Sequence, residues 1–226
     1  MQPYFFPYIG YFQLVNVVDD FVFYDDVNYI KRGWVNRNRI LSNSESIYFN
    51  MPLSGPSQNQ LINEIKVGAI DKKLLKTIEM AYKRAPNYEE VSELVKTVLS
   101  TQSDRLVDFC ENSIKAVACY LGLNTAFHKS SIEFSDSKGL DKAERLINIS
   151  KKLNSKVYIN ASGGKDLYEK EVFIREGIEL FFLNTDSDII YKQFNNDFNP
   201  WLSIIDVLMF NSREEVLLFL DKYHLT

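Results

Sequence analysis

The chain has 226 residues, of which 46% are hydrophobic and 25% are charged, as expected for a folded globular protein with a sizeable core. Its formal net charge of −4 argues against a chain that binds nucleic acid or a membrane surface as a whole. No run approaches the roughly 18 apolar residues of a membrane span, so we expect no membrane insertion. The apolar start lacks the leading positive charge and cleavage site of a signal peptide, and we therefore expect a cytoplasmic protein.

The first part of the chain, residues 1–67, is predicted to be mostly strand and loop and to form most of the site. The apolar run 21–24 is typical of a buried strand and ends at two aspartates, Asp25 and Asp26. Strand-forming residues on either side of Ser42-Asn-Ser44 predict a hairpin with strands over 35–41 and 47–51. Apolar residues between 61 and 67 indicate one more strand.

The middle part, residues 68–125, is predicted to be a helical insertion. Asp71 can cap a helix that continues to about residue 82, a second helix covers 88–99, and a third covers 104–121 and ends at Gly122. Cys110 and Cys119 lie on opposite faces of that third helix. We therefore expect two buried thiols and no disulfide.

The last part, residues 126–226, alternates helix and strand. Spacing predicts a helix over 141–153, a strand over 156–160, a Gly-Gly turn with a short helix, a strand over 178–183 and two terminal helices over 200–210 and 212–223. Ser212 has Glu214 two residues later, so its helix cap is predicted to be partial at best. Units of this kind usually pair in parallel. The three parts predict one α/β domain over residues 1–226, with a mixed or parallel sheet and a helical insertion in the middle.

Aromatic residues are concentrated at the start of the chain. Six of the first twelve residues are aromatic, and two prolines fix the backbone between them. Such rings form either a flat binding wall for a sugar ring or nucleobase, or a part of the hydrophobic core. The sequence leaves both interpretations open.

A basic stretch follows the paired aspartates. Between residues 27 and 39 there is no acid, and the basic residues are Lys31, Arg32, Arg37 and Arg39. In a strand, Arg37 and Arg39 share one face and Asn36 and Asn38 the other. Because arginine forks match phosphate oxygens, we predict a diphosphate site oriented by the asparagines, with Trp34 against a base or sugar. The alternative is a solvated edge strand.

Three residues are candidates for acid–base chemistry, namely Asp25, Asp26 and His128. Either aspartate could be a general base, could hold Mg²⁺ against phosphates, or could only neutralise the arginines. Strand geometry lets one of them at most reach the site, and we favour Asp26. His128 is either structural or a base. Asp206 lies on an apolar helix face, needs a partner if it is buried, and could anchor an N-terminal arginine.

A glycine-rich turn follows the predicted strand over 156–160. Backbone N–H groups at Gly163 and Gly164 can form an anion pocket there. The segment 162–166 resembles the pyrophosphate loop of ATP pyrophosphatases, although Leu167 stands where that family expects Ser or Thr. The alternative is a plain turn with a helix cap. Only two histidines are present and no Cys/His cluster has ligand spacing, so we expect no tight metal site, while Mg²⁺ or ATP as a cofactor stays open.

Taken together, these stretches resemble the WbqC-like family of bacterial surface-polysaccharide proteins. The matching residues run through nearly the whole chain: Gln2-Pro3-Tyr4, Pro7, Gly10-Tyr11-Phe12, Asp25-Asp26, Lys31, Trp34, Asn36-Arg-Asn-Arg39, Tyr158, Asn160, Gly163-Gly164, Leu167-Tyr168, Ser203 to Asp206 and Asn211. The resemblance implies a part in O-antigen and lipopolysaccharide biosynthesis, in which glycine or another acyl group is placed on the amine of a nucleotide-linked amino sugar. Members of the family carry a short first strand before Met-Gln-Pro. The resemblance therefore implies either that this chain lacks that strand or that its start is wrongly assigned and the strand precedes Met1.

The leading hypothesis is a transferase that binds a nucleotide sugar and attaches an aminoacyl or acyl group to its amine. In it, Arg37, Arg39 and Lys31 hold the diphosphate, Asn36 and Asn38 orient it, and Trp34 and Tyr4 stack. Gly163 and Gly164 receive a donor phosphate or carboxylate, and Asp26 or His128 takes the amine proton. The resemblance adds further substrate-binding residues, namely Gln2, Tyr11, Asn160 and Tyr168. The rival hypotheses are an ATP-dependent ligase that uses the loop Ser162 to Asp166 and a non-catalytic partner of amino-sugar pathway enzymes.

Overall fold

The computed structural model describes residues 1–70, 72–194 and 197–226. Its α-helices are α1 (Ile9–Val17), α2 (Lys72–Tyr82), α3 (Tyr88–Leu99), α4 (Leu106–Leu121), α5 (Ser130–Glu133), α6 (Lys142–Lys152), α7 (Lys170–Arg175), α8 (Ile204–Phe210) and α9 (Arg213–Leu220). Its strands are β1 (Asp20–Phe23), β2 (Arg37–Ser42), β3 (Glu45–Asn50), β4 (Leu53–Ser54), β5 (Lys66–Val67), β6 (Ala126–Lys129), β7 (Val157–Ala161), β8 (Glu179–Thr185) and β9 (Tyr223–Leu225). Short 3-10 helices cover Ile62–Glu64, Ser135–Ser137 and Ser162–Leu167.

The strands form small sheets of both kinds, which confirms the prediction of a mixed α/β fold. β1 pairs with β6 in parallel, and β7 pairs with β8 in parallel. The pairs β2–β3, β4–β5 and β8–β9 are antiparallel. Within the described residues, no helix is long and apolar enough to cross a membrane.

The central hairpin and most helices confirm the sequence prediction. The turn between β2 and β3 is made by Asn43 and Ser44, both with positive φ, as two-residue hairpin turns require. Gly122 ends α4 in the left-handed conformation at φ 74°, which favours glycine. The predicted cap of α2, Asp71, lies outside the described residues.

The helix α1 corrects the prediction of strand and loop at the start of the chain. Seven of its nine residues are buried, from Ile9 to Val15. A helix covered on nearly all sides has no polar stripe, so its sequence lacks the helical periodicity that would identify it.

Four smaller predictions were also wrong. The expected strand over 61–67 is a 3-10 helix followed by the two-residue β5. Ser212 has a complete capping box, because Glu215 and not Glu214 occupies its third position. β9 replaces the end of the last predicted helix. Cys119 is exposed, since it lies on the face of α4 opposite the buried Cys110.

The first residue is hydrogen-bonded to β1. The Met1 ammonium donates to the Val22 carbonyl (2.7 Å), and the Tyr24 N–H donates to the Met1 carbonyl (2.8 Å). Burial lowers the pKa of the Met1 ammonium to about 5. Next to it, a cavity of about 170 Å³ separates the edges of β1 and β7 and is covered by α1 and α6. The first strand that the family resemblance implies stays a prediction.

Candidate functional site

The aromatic start of the chain lies mostly in the core. Phe5, Phe6, Tyr11 and Phe12 are almost completely buried. The remaining two rings, Tyr4 and Tyr8, are partly exposed. The core interpretation therefore holds for four of the six rings, and a binding role for Tyr4 and Tyr8 stays a prediction.

Three residues that the resemblance assigns to substrate binding lie together here. The Tyr11 hydroxyl donates to the Gln2 carbonyl (2.9 Å), and the Tyr4 hydroxyl donates to Gln2 Oε1 (3.4 Å). Burial raises the pKa of both tyrosines, so each hydroxyl keeps its proton and acts as a donor.

Asn36 and Asn38 are held by the protein itself. Asn36 donates to the Met51 carbonyl (3.0 Å) and accepts from the Tyr29 hydroxyl (2.8 Å). Asn38 donates to the Phe6 carbonyl (2.8 Å), which also accepts from Ser203 Oγ (2.7 Å). Their amides therefore fix the start of β2 against the aromatic segment and α8.

The outer face of β2 carries a surface that we call the arginine–aromatic strip, defined by Trp34, Arg37, Arg39, Tyr48 and Trp201. Arg37 and Arg39 share that face, as strand alternation predicts. The Arg37 guanidinium lies 4.5 Å from the centroid of Tyr48 and 6.0 Å from that of Trp34, and Arg39 lies 5.9 Å from Trp34. The three rings are 42%, 51% and 54% exposed for Trp34, Tyr48 and Trp201.

Backbone carbonyls orient both guanidinium groups. Arg37 Nε donates to the Gly33 carbonyl (2.9 Å), and its Nη2 donates to the carbonyl of Arg32. Arg39 Nη2 donates to the Trp201 carbonyl (3.3 Å), whereas its buried Nε has no hydrogen-bond partner among the described residues. Lys31 is exposed nearby in sequence. Oriented guanidinium groups with spare donors between exposed rings suit an anion that also carries a ring.

The paired aspartates lie in a different network. The Arg145 guanidinium donates from Nη2 to both carboxylate oxygens of Asp26 (2.8 and 2.7 Å), and both groups are buried. Asp25 accepts from the Ser131 N–H (3.0 Å) and the Ser131 hydroxyl (2.6 Å), and Ser130 Oγ donates to both aspartates. The arginine that Asp26 neutralises therefore comes from α6 and not from the basic stretch.

His128 lies between two carboxylates. Its Nε2 is 2.9 Å from Asp20 Oδ1 and its Nδ1 is 2.6 Å from Glu133 Oε2. Burial lowers the pKa of His128, but the hydrogen bonds to Glu133 and Asp20 outweigh it, so the pKa lies above the ordinary value of 6.5. Both ring nitrogens are engaged, which favours the imidazolium form.

This arrangement predicts a pH dependence of stability. Because the folded pKa of His128 is raised, its contribution is complete below pH 6.5 and is lost as the pH rises through the folded pKa. The midpoint of urea unfolding of the wild type should therefore fall as the pH rises from 6.5 through the folded pKa. His128→Gln should remove this part of the pH dependence. His224→Gln is the control and should leave it in place; an unchanged slope in His128→Gln would contradict the assignment.

The glycine-rich segment forms a 3-10 helix at the carboxyl end of β7. A side chain at Gly164 would place its Cβ 2.6 Å from Asn160 Nδ2, so glycine is needed there for the asparagine to approach. Gly163 faces open space. Tyr168 packs edge-on against Phe173 at a centroid distance of 6.1 Å. The glycines thus border Asn160, while Tyr168 belongs to a small hydrophobic cluster.

Comparison with known proteins matches the family model described as the WbqC-like protein family over residues 2–217. The chain belongs to the WbqC-like protein family. It is 30% identical over 213 residues to a protein of Mycobacterium tuberculosis described as uncharacterized protein Rv1507c, covering 92% of this chain and 90% of that protein. No solved structure matches the chain.

In this WbqC-like protein, one buried acid was missed by sequence reasoning. Glu111 on α4 is buried; its Oε2 is 2.9 Å from the Lys129 ammonium, and its Oε1 has no hydrogen-bond partner among the described residues. Burial raises the pKa of Glu111, and Lys129 and Lys115 oppose this rise. An acid at a core position of a helix, four residues before Lys115, was the available signal.

The carboxylates of the paired aspartates are surrounded by donors of the protein itself. Among residues 1–70, 72–194 and 197–226, no group of three or more His, Cys, Asp or Glu side chains is arranged to hold a metal ion. The oxygens of Asp25 and Asp26 are occupied by serine and arginine donors.

Proposed function

We propose that this WbqC-like protein is a transferase that binds a nucleotide-linked amino sugar on the arginine–aromatic strip and places an acyl or aminoacyl group on the sugar amine. The observation that carries the proposal is the pair Arg37 and Arg39, oriented by backbone carbonyls and stacked on exposed rings. The reaction class follows from the family resemblance, and the strip supports the class of substrate.

The diphosphate lies against the outer edges of the two guanidinium groups. Planar forks bind phosphate oxygens in pairs, and the mobile ammonium of Lys31 adds charge without fixed geometry. Asn36 and Asn38 act by holding β2 in place, since their own amides are already hydrogen-bonded. Trp34 and Tyr48 pack against the guanidinium groups and limit their movement, and the exposed parts of both rings can contact the ligand.

The amine must lose a proton when its nitrogen bonds to the acyl carbon and the leaving group of an activated acyl donor departs. Asp25, Asp26 and His128 have their hydrogen-bonding atoms engaged within the protein. The departing group of the acyl donor takes this proton.

The proposal predicts that a nucleotide-linked amino sugar stabilises the protein and that Arg37→Ala abolishes most of the effect. A ligand at a hundred times its Kd stabilises by about 2.7 kcal/mol, which for a chain of this size is roughly 5–10 °C in Tm. Thermal unfolding with nucleotide sugars, free nucleotides and glycine measures it.

Two variants make this test specific. Arg37→Lys keeps the charge but loses the planar fork, so its shift should be intermediate. Arg175→Ala removes an exposed arginine on α7, away from the strip, and should shift as the wild type does. A full ligand-induced shift in folded Arg37→Ala protein would refute the site.

A further inference from the structure

A second cavity adjoins the arginine–aromatic strip. It has a volume of about 300 Å³ and lies beneath Trp201. Its aromatic and proline walls are Tyr8, Tyr191, Phe198, Pro200 and Trp201. The volume is at the lower end of the range of small-molecule sites, and four aromatic residues lie among mostly aliphatic ones in the lining.

The two outer rings of this cavity are held in place by the backbone. Trp201 has φ 60°, a left-handed conformation that is costly for a bulky residue, and its ring is nevertheless 54% exposed. Its carbonyl accepts from Arg39, so the strip and the cavity share this residue. The Tyr8 ring lies 6.1 Å from the Trp201 ring, and a Cβ at Gly10 would lie 2.5 Å from it, so only glycine allows that position.

Three polar side chains of the cavity, those of Thr185, Asp186 and Tyr191, are hydrogen-bonded within the protein. Thr185 Oγ1 donates to Gln13 Oε1 (2.7 Å), and Asp186 Oδ1 is 2.9 Å from His224 Nδ1. The Tyr191 hydroxyl donates to the buried carboxylate of Asp206 (2.7 Å). A sugar needs free partners for its hydroxyl groups, whereas a flat aromatic ring needs ring faces. The walls therefore favour a planar heterocycle.

We propose that this cavity binds the nucleobase of the nucleotide whose diphosphate lies on Arg37 and Arg39. Arg39 links the two places because it stacks on Trp34 and donates to Trp201. The positive charge beside an aromatic cavity complements a ligand with a ring at one end and phosphates at the other. The inference rests on the proposed function only for the position of the diphosphate on the strip. Binding of the nucleobase in the cavity can be tested separately.

The chain offers an experiment because it has two tryptophans, one at each place. In Trp34→Phe, Trp201 alone reports on the cavity, and in Trp201→Phe, Trp34 alone reports on the strip. Fluorescence of each variant is titrated with the four ribonucleosides, their 5′-diphosphates and inorganic pyrophosphate, and circular dichroism checks folding. If one variant fails to fold, the full-length protein is labelled with fluorotryptophan and studied by fluorine NMR. The other variant then assigns the two resonances, and the shift of each resonance reports on its own site.

We expect at least one nucleoside to change the Trp201 signal saturably and leave the Trp34 signal unchanged, and we expect pyrophosphate to change the Trp34 signal. Phe198→Ala should weaken nucleoside binding by about ten- to hundredfold. A Trp201 signal that responds to no nucleoside and no nucleoside diphosphate would overturn the inference. A nucleoside response at Trp201 with no pyrophosphate response at Trp34 would sustain the base site and reject the proposed function.

Discussion

Asp26→Ala should lower the free energy of unfolding by about 3–5 kcal/mol, because it leaves the Arg145 guanidinium buried without its carboxylate. Both side chains are at most 6% exposed, and Arg145 Nη2 contacts both oxygens of Asp26. Arg145 also lies 4.5 Å from the Tyr24 ring centroid and donates from Nε to Ser137 Oγ (3.1 Å). Removing the acid thus disturbs the contact between β1 and α6.

Chemical denaturation followed by circular dichroism measures this loss. Asp136→Ala is the matched control, because its partner Lys152 and its own carboxylate are both substantially exposed, and the midpoint should change little. The double variant Asp26→Leu with Arg145→Met should recover much of the stability, since it removes both charges together. A loss below about 1 kcal/mol in Asp26→Ala would show that the pair is solvated and not buried.

The same pair shows what sequence can and cannot predict. The strand before Asp25 and Asp26 was predicted from its apolar run, although in β1 only Phe21 and Phe23 are buried, so the prediction of a fully buried strand was wrong. The partner could not be predicted, since Arg145 lies 119 residues away on a helix whose periodicity gives no information about what it faces. Long-range pairs depend on how elements pack, and local patterns do not encode that packing.

Local patterns were sufficient where one face of an element meets solvent. α3 and α6 alternate polar and apolar faces, and both were predicted to within about a residue. The alternation of Arg37 and Arg39 with Asn38 in β2 was likewise readable. α1 failed for the opposite reason, since it is buried nearly all round, and β6 has four residues with no alternating pattern.

Another buried acid, Asp206, was predicted to need a partner if buried, with an N-terminal arginine as one possibility; in the structure it accepts from two tyrosines and a glutamine. Tyr82 and Tyr191 donate from their hydroxyls and Gln193 from its Nε2, each at 2.7 Å. Tyr82 in turn accepts from the Leu41 N–H (2.9 Å), so the carboxylate connects α8 with α2 and β2. Tyr191 is also a wall of the aromatic cavity.

Asp206→Ala should therefore lower the free energy of unfolding by about 3–4 kcal/mol. It leaves three buried donors without an acceptor, at about 1–3 kcal/mol each, and the relief of the desolvation cost of the buried acid offsets part of this loss. The measurement is the same denaturation series. Asp206→Asn is the conservative control, since its carbonyl oxygen can still accept, and it should lose less. Equal losses in the two variants would mean that packing and not hydrogen bonding holds α8 in place.

The pH dependence of the free energy of unfolding further distinguishes packing from hydrogen bonding as the interaction that holds α8 in place. Burial raises the pKa of Asp206 above its ordinary 3.8, although the three donors oppose the rise. The folded state therefore holds this proton more tightly than the unfolded chain, so stability from this group is greatest below pH 3.8 and falls as the pH rises through the folded pKa. The difference between wild type and Asp206→Asn isolates that fall from the other carboxylates. If the difference does not change with pH, the carboxylate is as well solvated by its three donors as by water.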